Sequence, residues 1–350
     1  VTLAGKRTVL SPEEYSRISG IAWTRDGEVL FSAYTQTAHQ QLIFGVRPGG
    51  EVRTAINGAG NLVAQDVATD ARWLVTREVF ALQLMLRTPR DTVARDVGWL
   101  DFPFGSVLSG DGRLLAFGEA SAESGVNYSV MLRATDGGKA VRLGAGMPMA
   151  FSRDGRWLLT LVPSRPGRVA IYPTGAGTER AVNTAGFETI SRAGWGPTED
   201  SVWFCGAAAG AKNSCRLSPL AGGASRPLPP GMGLFSPDGT RILSRNDGKL
   251  VVTTAAGEPV RELATADEVV TGWSADGRGI YLRQPRRMTI DLLDIATGAR
   301  RRVIDDATAN ADPNRPVRAA AVSADGRVYT YQPQRQASDL FVGDGVRQKP

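Results

Sequence analysis

The chain has one histidine, His39, two cysteines, Cys205 and Cys215, and no apolar run near the roughly 18 to 20 residues that a membrane helix requires. A single imidazole excludes zinc sites built on several histidines and leaves a Ser-His-Asp triad one candidate base. His39 lies in the polar stretch 35–41, which reads as an exposed loop. No basic run exceeds the three residues Arg300, Arg301 and Arg302, so the net charge of +6 is scattered and favours solubility over nucleic-acid binding. Hydrophobic residues at 42% and charged residues at 22% lie near globular averages, which excludes a disordered chain. The chain opens at Val1, as expected of a processed chain or of a segment of a longer one.

What the chain does have is glycine and proline spread along its whole length, 41 and 20 residues, as expected of many short strands joined by turns. An internal repeat organises them: an apolar or aromatic residue, usually Ser or Thr, one variable residue, Asp-Gly, then an apolar run. Clear copies centre on Asp26-Gly27, Asp111-Gly112, Asp154-Gly155, Asp238-Gly239, Asp276-Gly277 and Asp325-Gly326. Worn copies lie at Asp70 and Asp200.

Each copy reads as a tight hairpin, with Ser, Thr and Asp bonding nearby backbone and Gly supplying positive φ. The apolar runs that follow, such as Trp157-Leu158-Leu159-Thr160-Leu161-Val162, read as strands covered on both faces. A second hairpin follows each motif, as at Asp136-Gly137-Gly138 and Thr297-Gly298, which makes four strands per repeat. Asp26 and Asp325 are seven intervals apart, a mean period of about 43 residues, within the range of a propeller blade. We therefore expect an all-β chain forming a single β-propeller over residues 1–350, with eight four-stranded blades, or seven with an irregular insertion. Residues 1–10 are expected to supply the strand that closes the last blade after Ser338-Asp339-Leu340-Phe341-Val342.

The motif, seen whole at Ser236-Pro237-Asp238-Gly239, resembles the TolB-type, WD-like propeller repeat. A further resemblance, to the C-terminal region of bacterial eukaryotic-type serine/threonine kinases, runs through nearly the whole chain. It rests on Trp99-Leu100-Asp101, on Asn127-Tyr128-Ser129-Val130-Met131-Leu132-Arg133-Ala134-Thr135-Asp136-Gly137, on Pro173-Thr174-Gly175-Ala176-Gly177 and on the stretch Ser338 to Arg347. That resemblance implies a sensor region outside the membrane, preceded in the family by a kinase domain and one membrane helix. Neither is in this chain, and the kinase Gly-rich loop and its His-Arg-Asp and Asp-Phe-Gly signatures are absent.

Cys205 and Cys215 flank a short loop between strand-like runs, so a disulfide across one hairpin is geometrically possible beside the alternative of two free thiols. The extracytoplasmic location implied by the resemblance favours the disulfide. Other candidates read as ordinary structure. The stretch 206–212 has the wrong glycine spacing for a phosphate loop. Asp305-Asp306 ends an outer strand with no second carboxylate converging on it, as glycoside hydrolysis needs. Asn127-Tyr128-Ser129 matches the glycosylation pattern, but so short a pattern recurs by chance.

The irregular aromatic segment with Trp99, Asp101, Phe102 and Phe104 precedes an inner strand and is the candidate partner-binding site at the channel mouth, against the alternative of a plug between blades. No catalytic constellation, metal site or cofactor is expected. The expected activity is binding of a protein or peptide, without nucleic acid and without insertion of this chain into a membrane. Alternatives are a free-standing TolB-like envelope scaffold and the gating propeller of a prolyl-oligopeptidase-type peptidase, although no Gly-x-Ser-x-Gly elbow occurs.

Overall fold

The computed structural model describes residues 9–11, 15, 17–35, 40–58, 60–100, 102–120, 128–228, 233–246, 248–263 and 267–344. The chain divides into two compact units, Val1–Ala81 with Arg335–Pro350, and Leu82–Gln334. His39 and the expected strand at residues 1–8 lie outside the described residues.

In the smaller unit β1 (Ile18–Trp23), β2 (Val29–Thr35), β3 (Gln40–Val46) and β4 (Arg53–Ile56) form one antiparallel sheet in chain order. β5 (Asn61–Val67) and β6 (Arg72–Leu82) form a hairpin beside it. Leu30, Ile43, Trp73 and Val75 are buried together between them. Tyr15 covers the other face of the first sheet, with its ring 5.4 Å from Phe31 and 5.6 Å from Phe44.

The larger unit begins with two short strands, β7 (Met85–Arg87) and β8 (Arg95–Asp96). Five four-stranded antiparallel sheets follow in chain order. They are β9 (Pro103–Leu108), β10 (Leu114–Glu119), β11 (Ser129–Ala134) and β12 (Gly137–Ala145); β13 (Met147–Phe151), β14 (Trp157–Val162), β15 (Arg168–Pro173) and β16 (Arg180–Ala181); β17 (Thr189–Trp195), β18 (Ser201–Ala207), β19 (Ser214–Pro219) and β20 (Arg226–Leu228); β21 (Leu234–Phe235), β22 (Arg241–Asn246), β23 (Lys249–Thr254) and β24 (Pro259–Leu263); and β25 (Val269–Trp273), β26 (Gly279–Arg283), β27 (Thr289–Asp294) and β28 (Arg300–Asp305). A short helix, α1 (Ala307–Asn310), leads to β29 (Val317–Val322) and the long β30 (Tyr329–Asp344).

The strand expected from residues 1–10 beside residues 338–342 falls mostly outside the described residues. At its start β30 pairs with β7, joining Tyr329 with Arg87, Thr330 with Leu86 and Tyr331 with Met85, and β8 follows β7. The sheet β29-β30-β7-β8 is thus assembled from both ends of the larger unit. Beyond Gln334 the same strand runs on into the smaller unit, where it pairs with β6 and Asp339 meets Arg77 at 2.5 Å. Of the eight motif turns, those near 111, 154, 200, 238, 276 and 325 join the first two strands of sheets in the larger unit, and those near 26 and 70 do so in the smaller one.

The turns owe their shape to bonds within a few residues. In the copy at 236–241 the Ser236 hydroxyl donates to Asp238 Oδ1 (2.5 Å) while accepting from the Arg241 N–H (3.0 Å), and Asp238 Oδ1 also accepts from the Thr240 N–H (3.0 Å). The same bonds recur at Ser109, Ser152, Ser274 and Ser323. Gly239, at φ +74°, closes the turn, and a Cβ there would lie 2.1 Å from Pro197 C=O in the neighbouring turn.

Successive turns of the larger unit touch one another. Arg153 N–H reaches Glu199, Gly239 abuts Pro197, and Gly277 abuts Pro237. Ala275 N–H donates to Ala324 C=O (2.9 Å), and Ala324 N–H to Gly110 C=O (3.2 Å).

The second strands β10, β14, β18 and β26 are buried on both faces, which explains their unbroken apolar character: Leu115, Leu159, Phe204 and Ile280 are at most 1% exposed. The first strands differ. All but β21 carry one extra residue against the partner, at Gly20, Gln65, Gly105 with Ser106 facing Phe117, Met149, Ser191, Thr271 and Arg318, a set of β-bulges that bends the strand and re-aims its side chains.

Candidate functional site

Because the turns gather at one end of the larger unit, the first strands of its sheets all begin at the other. The loop entering β9 is built there by polar anchors. Asp96 Oδ1 accepts from Gly98 N–H (3.0 Å), Val97 N–H donates to Leu84 C=O (2.7 Å), and Arg133 Nη1 donates to Val97 C=O (2.8 Å). Glu119, 1% exposed at the end of β10, turns its carboxylate on the next segment and accepts from Phe102 N–H (3.0 Å) and Leu100 N–H (3.3 Å). Pinned on both sides, the loop holds Trp99 48% and Leu100 41% exposed.

The four residues singled out from sequence separate in the structure. Trp99 stands on the surface, Phe102 is half-buried and tied down through its N–H, and Asp101 lies outside the described residues. Phe104 lies against Gly118, where a Cβ would come within 2.5 Å of its ring, and meets Tyr128 edge-on at 5.0 Å, so it serves packing. Sequence reasoning missed Leu100 and Glu119. The signal for Glu119 was present, since a carboxylate closing the run Leu114-Leu115-Ala116-Phe117-Gly118 must find donors once buried. Also missed were Leu234 and Val269, 42% and 43% exposed at the starts of β21 and β25, on the same end.

In two clefts elsewhere the ionisable groups are engaged with one another. An open cleft of about 1060 Å³ in the smaller unit is lined by Asp26, Glu28, Arg47, Arg53 and Asp70 among others. Arg53 grips buried Glu28 through two bonds of 2.7 Å, Arg72 pairs with Asp70, and Arg47 pairs with Asp26. The Thr24 hydroxyl and Arg47 hold the Asp26 carboxyl below its ordinary range.

A second cleft, of about 530 Å³, lies between Arg87, Asp91, Asp305 and Tyr329. Tyr329 donates to buried Asp306 (2.9 Å) and accepts from Arg87 (3.1 Å), while Asp306 caps α1 by accepting from Ala309 N–H (3.0 Å). Asp305 accepts from Asn310 Nδ2 (3.1 Å). Burial pushes the Tyr331 phenol up to about 12 and raises Tyr329 further. These carboxylates are taken up by hydrogen bonds and ion pairs within the fold. Among the described residues no group of three His, Cys, Asp or Glu side chains can hold a metal ion, and no helix is long and apolar enough to cross a membrane.

Cys205 and Cys215 face each other across β18 and β19 and form a disulfide, both 7% exposed.

No protein-family model matches the chain, and a search of the curated proteins finds no match either. Among solved structures it is similar to a putative TolB from Agrobacterium tumefaciens, at 16% identity and a TM-score of 0.51, over 73% of this chain and 99% of that one. TolB from Acinetobacter baumannii is similar at 15% identity and a TM-score of 0.44, over 92% of this chain and 80% of that one. A chain from a study of two prolyl endopeptidases matches at 12% identity and a TM-score of 0.39, over 82% of this chain and 49% of that one. The first similarity shows a shared fold: the chain contains a TolB-like β-propeller.

Proposed function

We propose that the chain is a non-catalytic propeller scaffold that binds a protein partner at the end of the ring where the first strands begin. On this reading the six touching turns of Leu82–Gln334 mark a six-bladed ring, closed by the pairing of β30 with β7. The share of the chain matched by the putative TolB, 73%, is close to the share that this unit represents.

The observation that carries the binding reading is the loop of Trp99 and Leu100, two large apolar side chains held in solvent by buried Glu119. Anchoring such residues on a rigid loop suits a hot spot, because the side chains lose little freedom on association. The expected contribution of Asp101 to the same site is part of this proposal. A location outside the cytoplasm is supported by the Cys205–Cys215 disulfide. The narrower assignment, to the sensor region of a receptor-type kinase, rests on sequence resemblance alone, and a free-standing envelope scaffold accommodates the same fold.

The test pairs activity with capture. Purified chain is incubated with ATP and a kinase substrate, with model peptides and with aryl glycosides. Immobilised wild type, Trp99→Ser/Leu100→Ser and Val141→Ser are then compared for proteins retained from a source extract by quantitative mass spectrometry. The reading expects no turnover and loss of retained proteins in the double variant only. Turnover abolished by a point change in this chain, or loss confined to the Val141 variant, overturns it.

A further inference from the structure

Close to the Trp99 loop the fold assembles four exposed arginines whose arrangement points to the chemistry of the partner. Arg286 and Arg287 lie in the turn between β26 and β27, and Arg315 and Arg318 flank the start of β29. The two segments are locked together from beneath. Val317 N–H donates to Arg286 C=O (2.9 Å), and Arg283, 3% exposed, donates from Nη1 to Arg287 C=O (3.0 Å) and from Nη2 to Arg318 C=O (3.3 Å). Arg286 is held at φ +62°, a left-handed conformation that bulky residues seldom adopt.

Among the described residues none of the four meets a carboxylate within ion-pair distance, whereas arginines elsewhere do: Arg53 with Glu28, Arg168 with Glu179, Arg300 with Glu268 and Arg302 with Asp291. Arg318 spends its Nε on Gln334 Oε1, leaving its terminal nitrogens. The acids closest in sequence are otherwise engaged. Asp312 accepts from Asn314 N–H (2.8 Å), Asp305 from Asn310, and Asp306 from Ala309 and Tyr329. Holding like charges together without counter-charges costs the free protein stability, and an incoming anion relieves that repulsion.

The cluster adjoins the apolar loop. Gln332 donates to Pro103 C=O (2.9 Å) at the start of β9, and Gln334, two residues on, takes Arg318. The loop entering β9 therefore presents Trp99 and Leu100 beside Arg315 and Arg318 at the start of β29, with Arg286 and Arg287 on the β26–β27 turn bonded to it.

We propose that these arginines and the Trp99 loop form one docking surface for an acidic protein segment that carries apolar side chains among its carboxylates. The inference rests on the partner-binding reading above and adds the charge and polarity of the partner. The apolar half of the surface favours a peptide over a nucleic acid, whose backbone offers phosphates and no aliphatic side chains to cover Leu100.

The experiment uses the full chain and a fluorescein-labelled peptide of alternating Glu-Glu-Leu triplets, read by anisotropy. A Lys-Lys-Leu peptide, single-stranded RNA and anionic phosphatidylglycerol vesicles run in parallel. Variants are Arg287→Glu/Arg315→Glu, whose side chains make no bond shown here, and Arg90→Glu/Arg113→Glu on other turns as the control. Circular dichroism checks folding. The proposal expects binding of the acidic peptide alone, weakened at least tenfold by the first double variant and by raising salt from about 0.05 to 0.5 M, and unchanged by the second. Absence of acidic-peptide binding, equal loss in both variants, or tighter binding of RNA or vesicles overturns it. If natural partners are lost from Trp99→Ser/Leu100→Ser but retained by Arg287→Glu/Arg315→Glu, the acidic-partner proposal fails while the binding reading stands.

Discussion

Arg283 offers the sharpest test of how the sheets of the larger unit are joined. Its guanidinium is buried with no carboxylate, and all four of its bonds go to carbonyls: Gln284 (3.0 Å), Arg287 (3.0 Å), Val317 (3.3 Å) and Arg318 (3.3 Å). Two of these acceptors lie at the β29 bulge, where the extra residue leaves the ladder irregular and carbonyls need a donor. Burial pulls the guanidinium below its usual range, yet an arginine stays charged near neutrality. Replacing Arg283 with Leu removes four charge-assisted bonds, each worth about 1.5–3 kcal/mol at best, and also removes the cost of burying a cation. Two of the bonds are long and part of the vacated space rehydrates, so the net loss expected is about 3–5 kcal/mol. Arg283→Lys keeps the charge but cannot fork to two strands, and should lose about half as much. Urea unfolding followed by tryptophan fluorescence measures both. A midpoint for Arg283→Leu within about 1 kcal/mol of wild type at equal slope would refute the claim that this residue fastens β26 to β29.

Three further outcomes follow from the turns and the disulfide. Gly239→Ala meets Pro197 C=O as well as an unfavourable φ and should cost about 2–4 kcal/mol in urea unfolding, whereas Gly27→Ala, with nothing within 4 Å, should cost about 1 kcal/mol; equal losses would remove the role of turn-to-turn contact. Unreduced, denatured protein should show no reactive thiol and reduced protein two, and Cys205→Ser/Cys215→Ser should lose about 2–3 kcal/mol of stability. The Ser236 hydroxyl and the Thr240 N–H hold the Asp238 carboxyl at about 2 against 3.8 for the ordinary group. Its contribution is therefore present above about pH 4 and is lost as pH falls toward 2, so Asp238→Asn should flatten the acid limb of a stability–pH curve, and an unchanged limb would contradict this.

The turns were legible in the sequence because every bond that shapes them lies within five residues, from Ser236 to Arg241. The doubly buried second strands were legible for a similar reason, since a run such as Val202-Trp203-Phe204-Cys205 has no polar face to expose. The partner of β30 was not. No Gly, Asn or Asp occurs between Tyr331 and Ser338 to turn the chain, so the strand continues for 16 residues and belongs to both units, where sequence reading placed a fresh strand at Ser338. Pairing across more than 240 residues leaves no local trace. At the candidate site the aromatic Trp99 was visible by type, but the buried carboxylate that presents it acts across 17 and 19 residues of sequence. The arginines of the β29 end looked like scattered charge until the fold placed the turn at 284–288 against the β29 bulge.

The most direct test of partner binding at the first-strand end is photocrosslinking in the source cell, with p-benzoylphenylalanine placed singly at Trp99, Leu234 or Val269 and, on outer strands, at Val141 or Val260. All five positions are between 40% and 70% exposed, so access to reagent and light is comparable. The account predicts a shared protein adduct from the first three positions and none from the last two. Adducts from Val141 or Val260 with none from Trp99, Leu234 and Val269 would place the partner on the outer strands and contradict it.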